Sequence, residues 1–309
     1  MGITPIASPV KMKANNTTQL NYKSISCYSC GSLDVKKNGA RKTKNRGTIQ
    51  RYICNSCKKR FTQKDAFFRM RNSPYKITQC MDMYFRGVSL RKIQEHLQAF
   101  TPHNSSHQSI LNWIRKYCIM IGKFTDELRL KTGTQLTFDE VEFKTKGKQS
   151  FFFDIMDMDT RYILASDYFY RRGENELLAV LKQAERKAIT KPTDIYTDGL
   201  RAYPAVIRKA YYSCRLNYQI QQHITKSSDK KFNWKIERLQ ENIRERTKVI
   251  RQFKSMNSAK AIMKGWEIFY NFCRKHQGIK CYPYELAIPE LKDKLGINKW
   301  LGLIELSFN

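Results

Sequence analysis

The chain has 309 residues, of which 41% are hydrophobic, so it is long enough for two or three domains and apolar enough to fold. Its net charge is +30, and the first 134 residues alone carry 25 Lys and Arg against 6 Asp and Glu. This charge favours a polyanionic partner, with the main nucleic-acid contact near the front of the chain. A basic protein without such a partner is the alternative. The composition excludes global disorder.

Cysteine usage and hydropathy indicate the compartment. Nine cysteines are present, and five of them are scattered singly, which is typical of an intracellular protein and not of a disulfide framework. No run of 18 apolar residues predicts a transmembrane helix. Residues 1–25 lack the apolar core of a secretory signal. We therefore expect a cytoplasmic protein whose residues 1–24 form a flexible N-terminus.

Two Cys-x-x-Cys pairs, Cys27–Cys30 and Cys54–Cys57, are separated by 23 residues. Four thiolates presented in this way suit tetrahedral Zn²⁺, and basic, strand-like stretches lie between them. The pattern predicts a zinc ribbon over residues 25–66 that needs structural zinc to fold. Free thiols are the alternative. The basic side chains of this segment either meet phosphates or form a solvated face; they are Lys36, Lys37, Arg41, Lys42, Lys44, Arg46 and Arg51.

Residues 70–130 carry three helix-start signals, at Ser73-Pro74, Ser89 and Ser105–Gln108. They predict helices that end before Gly87, at Leu97 and at Cys118, an arrangement typical of a helix-turn-helix DNA-binding domain. A small helical bundle that bridges two domains is the alternative. If the third helix enters the major groove, its outward residues contact bases or phosphates. These residues are Gln108, Asn112, Arg115 and Lys116. We interpret His103 and His107 as surface imidazoles.

From residue 135 onward the pattern changes to strands that alternate with helices. Strands are predicted at Leu136–Phe143, Phe151–Met156, Arg161–Asp167 and Thr193–Thr197, and helices at Glu174–Ala188 and Leu200–Ala210. A second amphipathic helix is predicted near 256–275, followed by an apolar, irregular tail. The pattern favours an α/β (α+β) fold in which helices flank a mixed sheet.

Three acidic residues occupy different settings in this half. Asp139 lies mid-strand, Asp198 ends a strand, and Glu237 falls in the first turn of a helix that Asn233 caps. Carboxylates delivered from two strands and a helix can converge, and Mg²⁺ pairs need such oxygen ligands. Glu241 is an alternative to Glu237. Asp154 and Asp157 are alternatives to Asp139, although Asp157 and Asp159 also suit a turn. Asp194 suits the surface, and His223 suits a loop.

Glu237 lies on one polar helix face with Glu241, Arg244, Lys248 and Arg251. Arg244 and Lys248 are candidates to hold the scissile phosphate or flanking DNA. A solvated helix face is equally compatible with this spacing.

Several motifs together resemble those of the DDE transposases of prokaryotic insertion sequences, both archaeal and bacterial. They are FDEVEFKTKGK, MDMDTRYILAS, YTDGLRAYP, NWKIERLQENIRERTKVIRQFKS and YNFCRKHQ. The chain is most similar to members with a zinc ribbon and a helix-turn-helix ahead of an RNase H-like core. The resemblance places that core at residues 133–280, with a five-stranded mixed sheet, and the C-terminal tail at 281–309. Where relatives carry two Asn before the Glu, this chain has Phe232-Asn233-Trp234.

The resemblance implies that Asp139, Asp198 and Glu237 form the catalytic triad and hold two Mg²⁺ or Mn²⁺ ions. It further implies nicking at the 3′ ends of the element, strand transfer into double-stranded target DNA, a homodimer in the synaptic complex, and association with the nucleoid. Two other functions stay open. One is a non-catalytic DNA-binding regulator derived from a transposase, and the other is an RNase H-like nuclease or resolvase.

Overall fold

The computed structural model describes residues 25–43, 47–101, 105–211, 220–224 and 230–308, apart from the side chains of residues 230–236. The predicted flexible N-terminus, Lys44, Arg46, His103 and the Asn233 side chain lie outside the described residues. The chain divides into two compact units, residues 1–64 and residues 65–309.

The first unit is an antiparallel three-stranded sheet. Strands β1 (Val35–Thr43), β2 (Gly47–Cys54) and β3 (Arg60–Thr62) are neighbours in that order. Its small core contains Cys27, Cys54 and Phe61, with Tyr52 packed against them. A core this small among the described residues favours stabilisation of the unit by a metal.

The second unit begins with three helices: α1 (Pro74–Phe85), α2 (Leu90–Phe100) and α3 (His107–Asp126). Each starts at a predicted serine, because Ser73, Ser89 and Ser106 accept hydrogen bonds from backbone N–H groups three residues later. Helix α3 continues eight residues beyond the predicted end at Cys118. The added turns bury Ile121 against the rest of the unit.

The sheet of the second unit has five strands in the order β6-β5-β4-β7-β8. Strands β4 (Gln135–Thr145), β5 (Lys148–Asp157) and β6 (Ile163–Phe169) are antiparallel, and β7 (Asp194–Thr197) and β8 (Gln221–Ile224) run parallel to β4. The predicted mixed five-stranded sheet is confirmed. The expected loop position of His223 is wrong, because this residue lies in β8.

Four helices accompany the sheet: α4 (Glu174–Lys187), α5 (Tyr203–Tyr211), α6 (Lys230–Ile250) and α7 (Met256–Ile268). A π-helical turn, Phe269–Cys273, extends α7. Helix α6 starts three residues before Asn233, so Glu237 is its eighth residue. The prediction that Glu237 lies in the first turn of this helix is therefore wrong. The buried side chains of Leu239 and Ile243 confirm the predicted apolar edge of α6.

The C-terminal segment is helical, which corrects the expectation of an irregular tail. Helix α8 (Pro283–Ala287) and a 3₁₀ turn (Pro289–Leu291) precede α9 (Lys299–Phe308). Helix α9 packs on α1 and α3 and buries Trp300, Leu303 and Ile304. The tail, the three front helices and the sheet therefore share one hydrophobic core. None of the helices in the described part of the chain is long and apolar enough to cross a bilayer.

Candidate active site

Asp139 and Asp198 lie side by side just beyond the last residues that pair β4 with β7. That last pair joins Phe138 to Thr197, so Asp139 is the next residue of β4 and Asp198 is the first residue after β7. Carboxylate oxygens of Asp139, Asp198 and Glu140 lie within 4.8 Å of one another. Because β7 ends at Thr197 beside Phe138, Asp198 leaves the sheet next to the middle of β4, where Asp139 lies, and the strand register produces this convergence. The donor set of hard oxygens fits a small divalent cation.

Burial governs the electrostatics of the acidic group. It raises the pKa of Asp139 to about 7, and the charges of Glu140 and Asp198 act in the same direction. The pKa of Glu140 is also raised, first by burial and then by the charge of Asp198. Carboxylates that repel one another in this way are stabilised by a cation between them.

Glu140 was not predicted as a site residue, because strand alternation places it on the face opposite Asp139. Its side chain is only 5% exposed, and it is fixed by two donors. Arg172 Nη1 donates to Oε1 at 2.7 Å, and Tyr203 Oη donates to Oε2 at 2.9 Å. Adjacency to Asp139 in the sequence was the only available signal.

Helix α6 reaches the acidic group through Gln240. Gln240 Nε2 donates to Asp139 Oδ2, while Asp139 Oδ1 accepts the backbone N–H of Glu140 at 2.8 Å. Arg244 Nη2 in turn donates to Gln240 Oε1 at 3.3 Å. Gln240 was also missed, although its position three residues after Glu237 puts both on neighbouring parts of one helix face.

Glu237 is exposed on α6, one turn before Gln240. It does not belong to the group of oxygens within 4.8 Å that Asp139, Glu140 and Asp198 form. The structure thus brings together two of the three predicted triad residues and places the third on the helix that contacts them. Its role as a ligand stays a prediction.

The competing acids lie outside the group formed by Asp139, Glu140 and Asp198. Asp157 is fully buried and accepts hydrogen bonds from Thr160 N at 2.9 Å and from Thr160 Oγ1 at 2.6 Å, which agrees with a turn residue. Asp154 pairs across the sheet with Asp139, and its burial raises its pKa well above the usual value. Glu241 is exposed and forms an ion pair with Arg238. Asp194 Oδ1 lies at hydrogen-bond distance, 2.6 Å, from His223 Nε2.

The first unit contains a second candidate metal centre. The four Sγ atoms of Cys27, Cys30, Cys54 and Cys57 lie within 4.8 Å of one another, with Cys27–Cys57 at 3.6 Å and Cys30–Cys54 at 3.5 Å. Tetrahedral zinc with Zn–S bonds of about 2.3 Å separates its sulfurs by about 3.8 Å, so the spacing fits. The backbone N–H of Cys57 lowers the pKa of Cys54 to about 6, which favours the thiolate that a metal needs.

The predicted DNA contacts of α3 differ in their availability. Gln108 and Asn112 are exposed and hydrogen-bonded to each other at 3.2 Å, and Lys116 is exposed. Arg115 is half-buried, and its Nη2 donates to Ser258 Oγ on α7 at 2.7 Å. On α6, Arg244 and Lys248 are exposed, as expected for the polar face. Contact of these residues with DNA stays a prediction.

Comparison with known proteins gives one family match. Residues 133–276 match the model of a DDE domain of the IS240 transposase type. No curated protein matches the chain.

Solved structures overlap the chain loosely. The HTLV-2 integrase catalytic core domain in complex with magnesium is 14% identical, with a TM-score of 0.38 over 51% of this chain and 98% of that chain. The simian T-cell lymphotropic virus intasome in complex with a PP2A regulatory subunit is 13% identical, with a TM-score of 0.39 over 67% and 73%.

Proposed function

We propose that this chain is a DNA transposase that acts on the ends of an insertion sequence through an RNase H-like catalytic core, because residues 133–276 match a DDE domain of the IS240 transposase type. It cleaves the 3′ ends of the element and joins them to target DNA. The observation that carries the proposal is the convergence of the Asp139 and Asp198 carboxylates inside the matched segment, where β7 ends beside the middle of β4.

In this proposal, Asp139 and Asp198 hold divalent cations, Mg²⁺ or Mn²⁺, and Glu237 supplies the third carboxylate from α6. Bound cations of this kind polarise phosphoryl oxygens and favour an ionised water or 3′-hydroxyl at neutral pH. The chain's own residues orient the ligands. Gln240 and the backbone N–H of Glu140 fix both oxygens of Asp139.

The other proposed roles follow from charge and from the cysteine cluster. The four cysteines hold structural Zn²⁺, and the ribbon, α3 and the exposed cations of α6 bind double-stranded DNA. The charge of +30 supports a DNA partner. Two copies form the synaptic complex, since two element ends are joined in one event.

The test is a cleavage assay on duplex DNA that carries the inverted repeats flanking the coding sequence, in Mg²⁺ or Mn²⁺. Wild type is compared with Asp139→Asn and Asp198→Asn, and Asp159→Asn, an exposed turn residue, serves as the matched control. A metal ligand contributes several kcal/mol, so both site variants lose activity by about 100-fold or more, and the control does not.

Two results would decide against the proposal. Sequence-specific binding of the repeats without any nicking by wild type would indicate a regulator derived from a transposase. A preference for branched DNA over linear ends would indicate a nuclease or resolvase.

A further inference from the structure

The tip of the β4–β5 hairpin and the end of β6 enclose an open groove with a volume of about 600 Å³. We call the lining of this groove the basic hairpin surface. It is lined by Lys146, Lys148, Gln149, Tyr170 and Arg171. Lys146 and Gly147 have φ angles of 50° and 75°, which are the values of a two-residue type I′ turn. The turn fixes the direction of the flanking lysines because its backbone is tightly constrained.

The surface has an excess of positive charge. Its three cationic residues are exposed, and none of them forms an ion pair with a described residue. The nearby Glu142 accepts a hydrogen bond from Gln149 at 3.0 Å and lies 4.0 Å from Arg172. Exposed cations that are not used within the fold are available for a polyanion.

The basic hairpin surface is connected to the acidic group in two ways. Arg172, which follows Arg171 in the chain, donates to Glu140 of the acidic group. Helix α6 also runs beside β4 from one site to the other, because Gln240 contacts Asp139 and Phe253, just after the helix, bonds to Lys144 and Lys146.

The two routes run side by side. Six strand residues from Glu140 to Lys146 span about 20 Å, and α6 covers about 15 Å of the same path between Gln240 and its end at Ile250. The exposed cations Arg244, Lys248 and Arg251 follow this path. A duplex rises about 3.4 Å per base pair, so the path corresponds to about six base pairs.

We infer that the basic hairpin surface binds the phosphodiester backbone of double-stranded DNA about six base pairs from the phosphodiester that is cleaved. This inference rests on the proposed function for its location relative to the reaction. Lys146, Lys148 and Arg171 each contact a phosphate, and the path along α6 leads the duplex from the acidic group to the hairpin.

The experiment measures binding of duplex DNA by fluorescence anisotropy between about 50 and 200 mM salt, without Mg²⁺ or Mn²⁺. The variant combines Lys146→Ala, Lys148→Ala and Arg171→Ala. The matched control combines Lys182→Ala, Lys292→Ala and Lys294→Ala, three exposed residues elsewhere, and removes the same charge.

Each phosphate contact contributes about 0.9 to the slope of log K against log salt. The slope of the hairpin variant should therefore be shallower than that of wild type by about 2.7. Across this salt range, the affinity of wild type should fall by a factor about 40 times larger than the factor by which the affinity of the variant falls. The control should keep the wild-type slope. The hairpin variant and wild type should converge on duplexes that end less than about six base pairs from the cleaved position.

Equal slopes for wild type and the hairpin variant would overturn the inference. So would an equal loss in the control, since it would indicate general charge and not a site. A wild-type protein that binds DNA but never cleaves it would refute the proposed function, and the comparison of slopes would still decide whether the hairpin binds phosphates.

Discussion

Asp139→Asn should stabilise the protein at alkaline pH in the absence of Mg²⁺ and Mn²⁺. Burial raises the pKa of Asp139 from 3.8 to about 7. An acid with a raised pKa binds its proton more tightly in the folded state, so its contribution favours folding at low pH and is lost as the pH rises from about 4 to about 7. Asparagine removes the cost of ionisation but offers one acceptor oxygen where Asp139 uses two, for Gln240 Nε2 and for the Glu140 N–H. The loss of that hydrogen bond does not depend on pH, so the change of stability with pH is the quantity that tests the account.

The size of the effect follows from the pKa difference. A pKa difference of about three units destabilises the folded wild type by at most about 4 kcal/mol above pH 7. About 3 kcal/mol of this loss falls in the two pH units between pH 5 and pH 7. The advantage of the variant should thus grow by about 3 kcal/mol between pH 5 and pH 8. In a unit of this size, 1 kcal/mol shifts Tm by about 2–4 °C.

Urea unfolding monitored by tryptophan fluorescence is the appropriate assay. All four tryptophans lie after residue 64, so the signal reports on the second unit only. Glu142→Gln, on an exposed side chain of the same strand, is the matched control. If Asp139→Asn and wild type have parallel stability profiles from pH 5 to pH 8, the electrostatic account of the site is wrong.

Three further predictions concern the ribbon, the positioning of Asp139 and the packing of α7. Zinc chelation should unfold the first unit and weaken DNA binding, while the tryptophan fluorescence of the second unit stays unchanged. Gln240→Leu should weaken Mn²⁺ binding, measured by electron paramagnetic resonance, by about 10–100-fold, because Asp139 loses a hydrogen bond that orients it; unchanged affinity would refute that role. Gly265→Ala places a methyl group in steric conflict with Cys118 Sγ and the Phe85 ring and should cost about 1–3 kcal/mol in urea unfolding. Gly199→Ala, which meets no atom within 4 Å, should cost clearly less.

Local signals predicted much of the fold. Serine caps gave the starts of the three front helices, and alternation gave the long strand that carries Asp139. The end of α3 was set too early, because the residues beyond Cys118 are held by packing against α7 and α9, which no local signal reports. The same holds for α9, whose apolar composition suits a helix only once α1 and α3 cover it.

The positions of Asp139 and Asp198 were predictable to the extent that the end of β7 and its neighbour β4 determine them. The register that sets Asp139 beside Asp198 follows from pairing of β4 with β7, and the sequence patterns already located both strands. Contacts made by single side chains across the fold could not be predicted. Gln240 reaches Asp139 from 101 residues away, and Tyr203 reaches Glu140 from 63 residues away.

The most direct measurement is the location of Mn²⁺ by anomalous diffraction in crystals of the protein soaked with the ion. We predict a peak bound by oxygens of Asp139 and Asp198 at about 2.1 Å, with Glu237 drawn toward it from α6. Ion density that avoids both aspartates, or a peak that Glu237 does not bind, would contradict a metal centre built from these three carboxylates.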